Sequence, residues 1–148
     1  MIVLDTSVFV DAIIPFKKDR YELANNIIDI ISRRGLSLYE PRLLVIELSG
    51  VLVRFKAMDA VKEHVDSLLD FINILDYSEL HEIAFEVALS TGCRAICSFF
   101  IACAKKANSM LISNDELQVL NARRAGVKAF YLLREFKGIQ QELQNLMS

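Results

Sequence analysis

Ile2-Val3-Leu4-Asp5-Thr6-Ser7 is a short apolar run that ends on an acid, and the pattern returns at Met110-Leu111-Ile112-Ser113-Asn114-Asp115. Each reads as a buried strand that delivers a carboxylate at its end, Ile2–Leu4 and Ser109–Ile112. Leu36–Tyr39, Ile72–Leu75 and Lys128–Tyr131 give three further strands. Helical stretches separate them. One opens at Asp19, with Glu22 as its capping partner, and runs to about Arg34 before Gly35. A second has Pro41 in its first turn and reaches about Lys56. Others cover Asp59–Phe71, Ser78 to about Ser90 ahead of Gly92, Arg94–Ala107, Glu116–Ala125 ahead of Gly126, and the tail from about residue 133 to Ser148. Arg94–Ala107 is apolar nearly all round and should be buried. Short apolar strands alternating with helices predict an α/β class. The architecture is a three-layer α/β/α sandwich with a central, mainly parallel sheet of about five strands. Residues 1–148 read as one domain, with a core over about 2–132 and a terminal helix over about 133–146.

Composition narrows the class further. Hydrophobic residues are 53% and charged residues 24% of the 148, which excludes a disordered chain. The formal charge is −2, so any nucleic-acid partner must use a local basic patch. Lys17-Lys18 with Arg20, Arg33-Arg34, Lys105-Lys106 and Arg123-Arg124 are available, although solvated helix faces account for most of them. Glu47, Arg54, Lys105 and Asp115 break the longest apolar stretches, so no membrane span is expected. The N-terminus lacks the basic region of a signal peptide. Cys93, Cys97 and Cys103 are odd in number and clustered, which suits a reducing cytoplasm better than a disulfide scaffold.

In a parallel sheet, ligands sit at the carboxyl ends of the strands. Asp5 and Asp115 both fall there, and each also suits a helix N-cap. Glu47 stands on a helix whose only other polar residue from Leu43 to Val53 is Ser49. It should point inward, where it needs a cation, a hydrogen-bond network or a raised pKa. One reading is a buried partner for an Arg or Lys. Taken together, three convergent carboxylates suit a hard divalent ion, Mg²⁺ or Mn²⁺, that polarises a phosphate and activates water. No catalytic histidine is needed, and His64 and His81 read as surface residues. There is no P-loop and no G-x-S-x-G elbow. Ser7 stands where a haloacid-dehalogenase-like phosphatase would carry its second Asp. An unrelated phosphatase built on Asp5 is the alternative outside nuclease chemistry.

From Ile2 to about Leu132 the chain resembles the PIN-domain ribonucleases, the fold of the VapC-type toxins. Val3-Leu4-Asp5-Thr6-Ser7-Val8 resembles the family's first acidic motif. Pro41-Arg42-Leu43-Leu44-Val45-Ile46-Glu47-Leu48 resembles the segment with its second acid, and Leu111-Ile112-Ser113-Asn114-Asp115 the T-x-D segment with its fourth. The resemblance implies a PIN-like fold and a divalent-metal-dependent endoribonuclease. Asp5, Glu47 and Asp115 would be its catalytic and metal-ligating residues, with Thr6, Ser7 and Ser113 hydrogen bonding water or phosphate. It also implies RNA as substrate, a homodimer, and a small antitoxin that covers the acidic pocket. The apolar cluster Phe9, Val10, Ile13, Ile14 and Phe16 is a candidate dimer face.

One position departs from the family pattern. Cys97 stands where the third acid is expected, in Arg94-Ala95-Ile96-Cys97-Ser98. A thiol is soft, mostly protonated near neutral pH and a poor Mg²⁺ ligand. The site is thus expected to be impaired, or the chain to be a degenerate PIN module that binds RNA or a protein. Glu116 is a possible substitute acid. A zinc site is disfavoured, because Cys103 lies six residues beyond Cys97 and no His follows at ligand spacing.

Overall fold

The computed structural model describes residues 1–146. Five strands, β1 (Ile2–Leu4), β2 (Leu38–Pro41), β3 (Ile72–Leu75), β4 (Met110–Ser113) and β5 (Ala129–Tyr131), form one sheet. The order is β3-β2-β1-β4-β5 and every pairing is parallel. Among the described residues the helices are α1 (Thr6–Ile13), α2 (Lys18–Arg33), α3 (Leu43–Leu52), α4 (Met58–Leu69), α5 (Tyr77–Thr91), α6 (Ala95–Lys106), α7 (Glu116–Arg124) and α8 (Leu132–Asn145). They cover both faces, as the three-layer reading expects. Met147 and Ser148, the end of the expected terminal helix, lie outside the described residues. No single described helix is long and apolar enough to cross a membrane.

The chain lays down β1, β2 and β3 in one direction, then returns to place β4 on the other side of β1. The strand order therefore reverses between β1 and β4. At such a point the loops leaving two adjacent strands diverge and open a crevice. The two acids that end β1 and β4 sit beside it.

β1 and β4 are buried along their whole length, which is why they read as continuous apolar runs. On α6, Ser98 and Phe99 to Ala104 are all buried, as its apolar circumference requires. The apolar cluster after the first motif is used mostly inside the chain. Phe9 is buried, Val10, Ile13 and Ile14 pack on the core, and only Phe16 stands out, at 80% exposed.

Several expected ends move. β2 runs two residues later than expected and takes in Pro41, which pairs with Leu75 instead of opening a helix. A proline lacks the N–H a central strand needs, yet at a strand's last residue little is lost. The ladder continues through Arg42, whose N–H donates to the Leu75 carbonyl at 3.1 Å. α2 begins after Lys17, so Asp19 and Glu22 are not its capping pair. Asp19 lies in its first turn, and Glu22 sits 4.0 Å from Lys18. Asp76, not Ser78, caps α5 in a capping box with Glu79, whose carboxylate accepts the Asp76 N–H at 2.8 Å.

The least expected core residue is Glu40 of β2, which is 0% exposed. β1 and β2 pair only at Ile2 and Leu38. Two residues further on, the Leu4 N–H donates to Glu40 Oε1 at 2.8 Å. A side chain thus replaces a backbone acceptor where the two strands part. Burial pushes this carboxyl well above its ordinary range, and Oε2 has no partner among the described residues. Glu40→Ala should cost about 3 kcal/mol, from the cavity and the stranded Leu4 N–H. Glu40→Gln keeps the acceptor and should cost less than half of that. Urea unfolding of both variants checks this, and equal losses would mean that the hydrogen bond does not hold β1.

Candidate active site

A cleft of about 560 Å³ opens at the carboxyl end of the sheet. Asp5, Glu47, Cys97 and Asp115 all line it, together with Thr6 and Ser7. The three acids come from three different elements: the end of β1, the middle of α3 and the loop after β4.

Asp5 is the N-cap of α1, and its Oδ1 accepts the Ser7 N–H at 3.0 Å. It is 6% exposed. The Ser7 hydroxyl also donates to Oδ1, and the Ser113 hydroxyl donates to Oδ2. Each hydroxyl serves a second purpose. Ser113 Oγ accepts the Asp115 N–H at 2.8 Å, and Ser7 Oγ accepts the Asn114 N–H at 2.9 Å. One carboxylate thereby ties the end of β1 to the end of β4 through two serines. Burial raises the Asp5 pKa from 3.8 to about 6, against the pull of the Ser113 and Ser7 hydrogen bonds.

Asp115 caps α7, with Oδ1 accepting from the Leu117 N–H at 3.0 Å and the Gln118 N–H at 3.4 Å. The capping and cleft readings of Asp5 and Asp115 therefore both hold. Each is locked by its cap and each still borders the cleft. Asp115 Oδ2 takes no hydrogen bond among the described residues.

Glu47 departs from its expected position. It does not point into the core and has no Arg or Lys partner among the described residues. It is half-buried and lines the cleft. The apolar residues of α3 face both the core and the surface: Leu44, Leu48 and Leu52 are buried, while Ile46 is 71% exposed.

Thr6 is buried, and its hydroxyl has no partner among the described residues. Cys97 is half-buried, and burial pushes its thiol up to about 11, so it stays protonated across the neutral range. Cys93 lines the same cleft, and Cys103 lies in the core. Glu116 does not replace the missing acid. It is turned outward, 3.6 Å from Arg134. His64 and His81 are exposed.

Sequence reasoning missed two polar residues beside the acids. Asp11 of α1 accepts from Asn114 Nδ2 at 2.7 Å and lies 4.0 Å from Arg20. Its carboxyl is raised, mainly by burial. The signal was present, since Asp11 is four residues from Ser7 and shares its helix face. Gln118 is buried, donates through Nε2 to the Cys97 carbonyl at 3.3 Å, and leaves Oε1 without a partner among the described residues.

Among the described residues, no three His, Cys, Asp or Glu side chains already stand close enough to ligate one ion. The donor chemistry nevertheless fits a hard divalent cation. Carboxylates from three elements border one cleft, and oxygen donors without partners, Thr6 Oγ1 and Gln118 Oε1, belong to residues that line it.

A family model described as PIN domain matches residues 2–123. The chain belongs to the PIN-domain family. Its members are in general nucleases, and they generally use divalent metals. Solved PIN-like neighbours include FitAcB from Neisseria gonorrhoeae, at TM-score 0.69 and 19% identity, covering 88% of this chain and 96% of that one. VapBC2 from Rickettsia felis, bound to a DNA fragment from its promoter, gives TM-score 0.61 and 18% identity over 88% of this chain and 98% of that one. PAE2754 from Pyrobaculum aerophilum gives 0.64 and 15%, over 99% and 89%. At such identities the likeness is one of fold. No curated protein sequence matches the chain significantly.

The serine clasp makes a measurable claim about this PIN cleft. Asp5 holds its proton more tightly folded than unfolded, so its contribution to stability shrinks as pH rises from 3.8 to about 6. A carbon-detected NMR titration of the metal-free chain should find its carboxyl midpoint near 6. Removing the Ser113 donor, which favours the charged form, should move that midpoint higher in Ser113→Ala. An unchanged or lower midpoint would contradict the clasp.

Proposed function

We propose that the chain is a divalent-metal-dependent endoribonuclease of the PIN and VapC type, weakened by Cys97 at the position of an expected acid. The observation that carries this reading is the meeting of Asp5, Glu47 and Asp115 in one cleft at the point where the strand order reverses. These three carboxylates would hold Mg²⁺ or Mn²⁺. When bound, the ion offsets phosphate charge and lowers the pKa of water. The chain's own part is orientation. Ser7 and Ser113 fix the plane of the Asp5 carboxylate, and the α7 N-terminus fixes Asp115 through one oxygen, leaving the other without a hydrogen bond among the described residues. The Thr6 hydroxyl, buried beside the cleft, would hold a water or a phosphate oxygen once its side chain turns outward. Cys97 contributes no charge, so the cleft carries one carboxylate fewer than the family pattern.

A further solved neighbour, described as a toxin–antitoxin complex from Klebsiella pneumoniae, supports a small antitoxin as partner, which would cover the acidic cleft. Exposed apolar residues on α3 and α5, Ile46, Phe85 and Leu89, support a homodimer. Three free cysteines suit the cytoplasm.

Cys97 favours a second reading, a degenerate PIN module that binds RNA or protein without cutting. Mn²⁺ titration calorimetry and an RNA cleavage assay, run on the native chain, Cys97→Asp and Asp115→Asn, separate the two. The nuclease reading expects measurable Mn²⁺ binding by the native chain, at least tenfold weaker binding in Asp115→Asn, and at least tenfold faster cleavage in Cys97→Asp. Unchanged affinity in Asp115→Asn would overturn the assignment of the acids. Binding and cleavage by Cys97→Asp alone would establish the degenerate module.

A further inference from the structure

The arginines divide unevenly between paired and unpaired. Arg20, Arg33, Arg42, Arg123 and Arg134 each face a carboxylate within 4.0 Å. Among the described residues four do not, Arg34, Arg54, Arg94 and Arg124, and the last three line the acidic cleft or the recess beside it. All three are exposed. Of the basic clusters conspicuous in the sequence, only Arg20 and Arg124 are there, and Arg20 faces Asp11 at 4.0 Å. Lys105 lies by Met110 at the opposite end of β4, and Arg33 and Arg123 are bound to Asp29 and Glu135.

The recess holding Arg54 has a volume of about 530 Å³. It shares Thr6, Ser7 and Glu47 with the acidic cleft. The two are arms of one groove that meet at Glu47, with Asp5 and Asp115 in the cleft arm. Arg54 stands in one arm, and Arg94 and Arg124 stand in the other. Unpaired guanidiniums on both sides of an acidic centre suit a ligand with repeated negative charge that crosses it. Guanidinium binds phosphate in a bidentate fork. A chain of carboxylates would gain the same outer contacts but would have no chemical use for the centre.

We propose that this groove is a track for one polynucleotide strand, with Arg54 holding a phosphate on one side of the reactive bond and Arg94 and Arg124 holding phosphates on the other. This deepens the nuclease reading and rests on it for the word reactive, but its test needs no metal and no cleavage. Fluorescence anisotropy would follow a labelled single-stranded oligonucleotide in EDTA over a series of salt concentrations. The proteins are the native chain, Arg54→Gln, Arg94→Gln/Arg124→Gln, and Arg34→Gln as the unpaired arginine outside the groove, with thermal melts confirming that each is folded.

Each phosphate contact on a single strand contributes about 0.7 to the slope of log Kd against log salt. The slope should fall by about 0.7 in Arg54→Gln and by about 1.4 in the double variant, since two contacts are lost. Arg34→Gln should keep the native slope. An equal fall in Arg34→Gln would reduce the effect to general surface charge and overturn the track. Loss in one arm only would overturn the crossing. Equal affinity for a poly-glutamate peptide would put an acidic protein on these cations instead. Unchanged slopes alongside Mn²⁺ binding lost in Asp115→Asn would remove the track and leave the nuclease reading standing. The reverse pair of results would remove the nuclease reading and leave the track.

Discussion

The structure turns on the Asp5 carboxylate and the two serine hydroxyls that grip it. Ser7 reaches it from the first turn of α1 and Ser113 from the end of β4, and each serine accepts a backbone N–H from the loop that carries Asp115. A buried carboxylate without such donors would be costly. With them it becomes a fastener between two strands whose following loops would otherwise diverge. The β1–β4 pairing, the caps of α1 and α7 and the placement of two of the three acids all depend on it.

The other side of β1 is held differently. Glu40 offers a side-chain oxygen where β2 draws away, so β1 is satisfied on both edges although only one edge has a full ladder. The cleft lies beyond both fastenings. α3, which follows β2 directly, brings Glu47 to its rim. The acids thus reach one place by three independent structural routes. Cys97 arrives by a fourth, on the first turns of α6, and supplies a thiol that burial keeps neutral.

Much of this was legible in the sequence, because β1 and β4 are short, nearly unbroken apolar runs and Asp5 and Asp115 follow them within two residues. The α/β class, the parallel sheet and the acids at its carboxyl edge follow from that pattern alone. Glu40 was not legible, since a lone acid after Leu38-Tyr39 looks like the end of a strand when it is part of the buried ladder. Glu47 was expected in the core because its neighbours are apolar. Apolar residues are often exposed, and α3 exposes Ile46 while Glu47 faces the cleft. The cations beside the acids were hidden for a related reason. Adjacent pairs such as Lys105-Lys106 catch the eye, whereas Arg54 and Arg94 are isolated in sequence and join Arg124 only in the fold.

The central claim is that acids from β1, α3 and the β4–α7 loop act on one ion. Paramagnetic broadening by Mn²⁺ in the amide NMR spectrum of the native chain tests it most directly. The account predicts that the amides of Asp5, Thr6, Glu47, Asn114 and Asp115 lose intensity together at substoichiometric Mn²⁺, while those of Asn108 and Lys128 at the far end of the sheet persist. Broadening confined to one of the three elements, or spread evenly over the acidic surface, would contradict it.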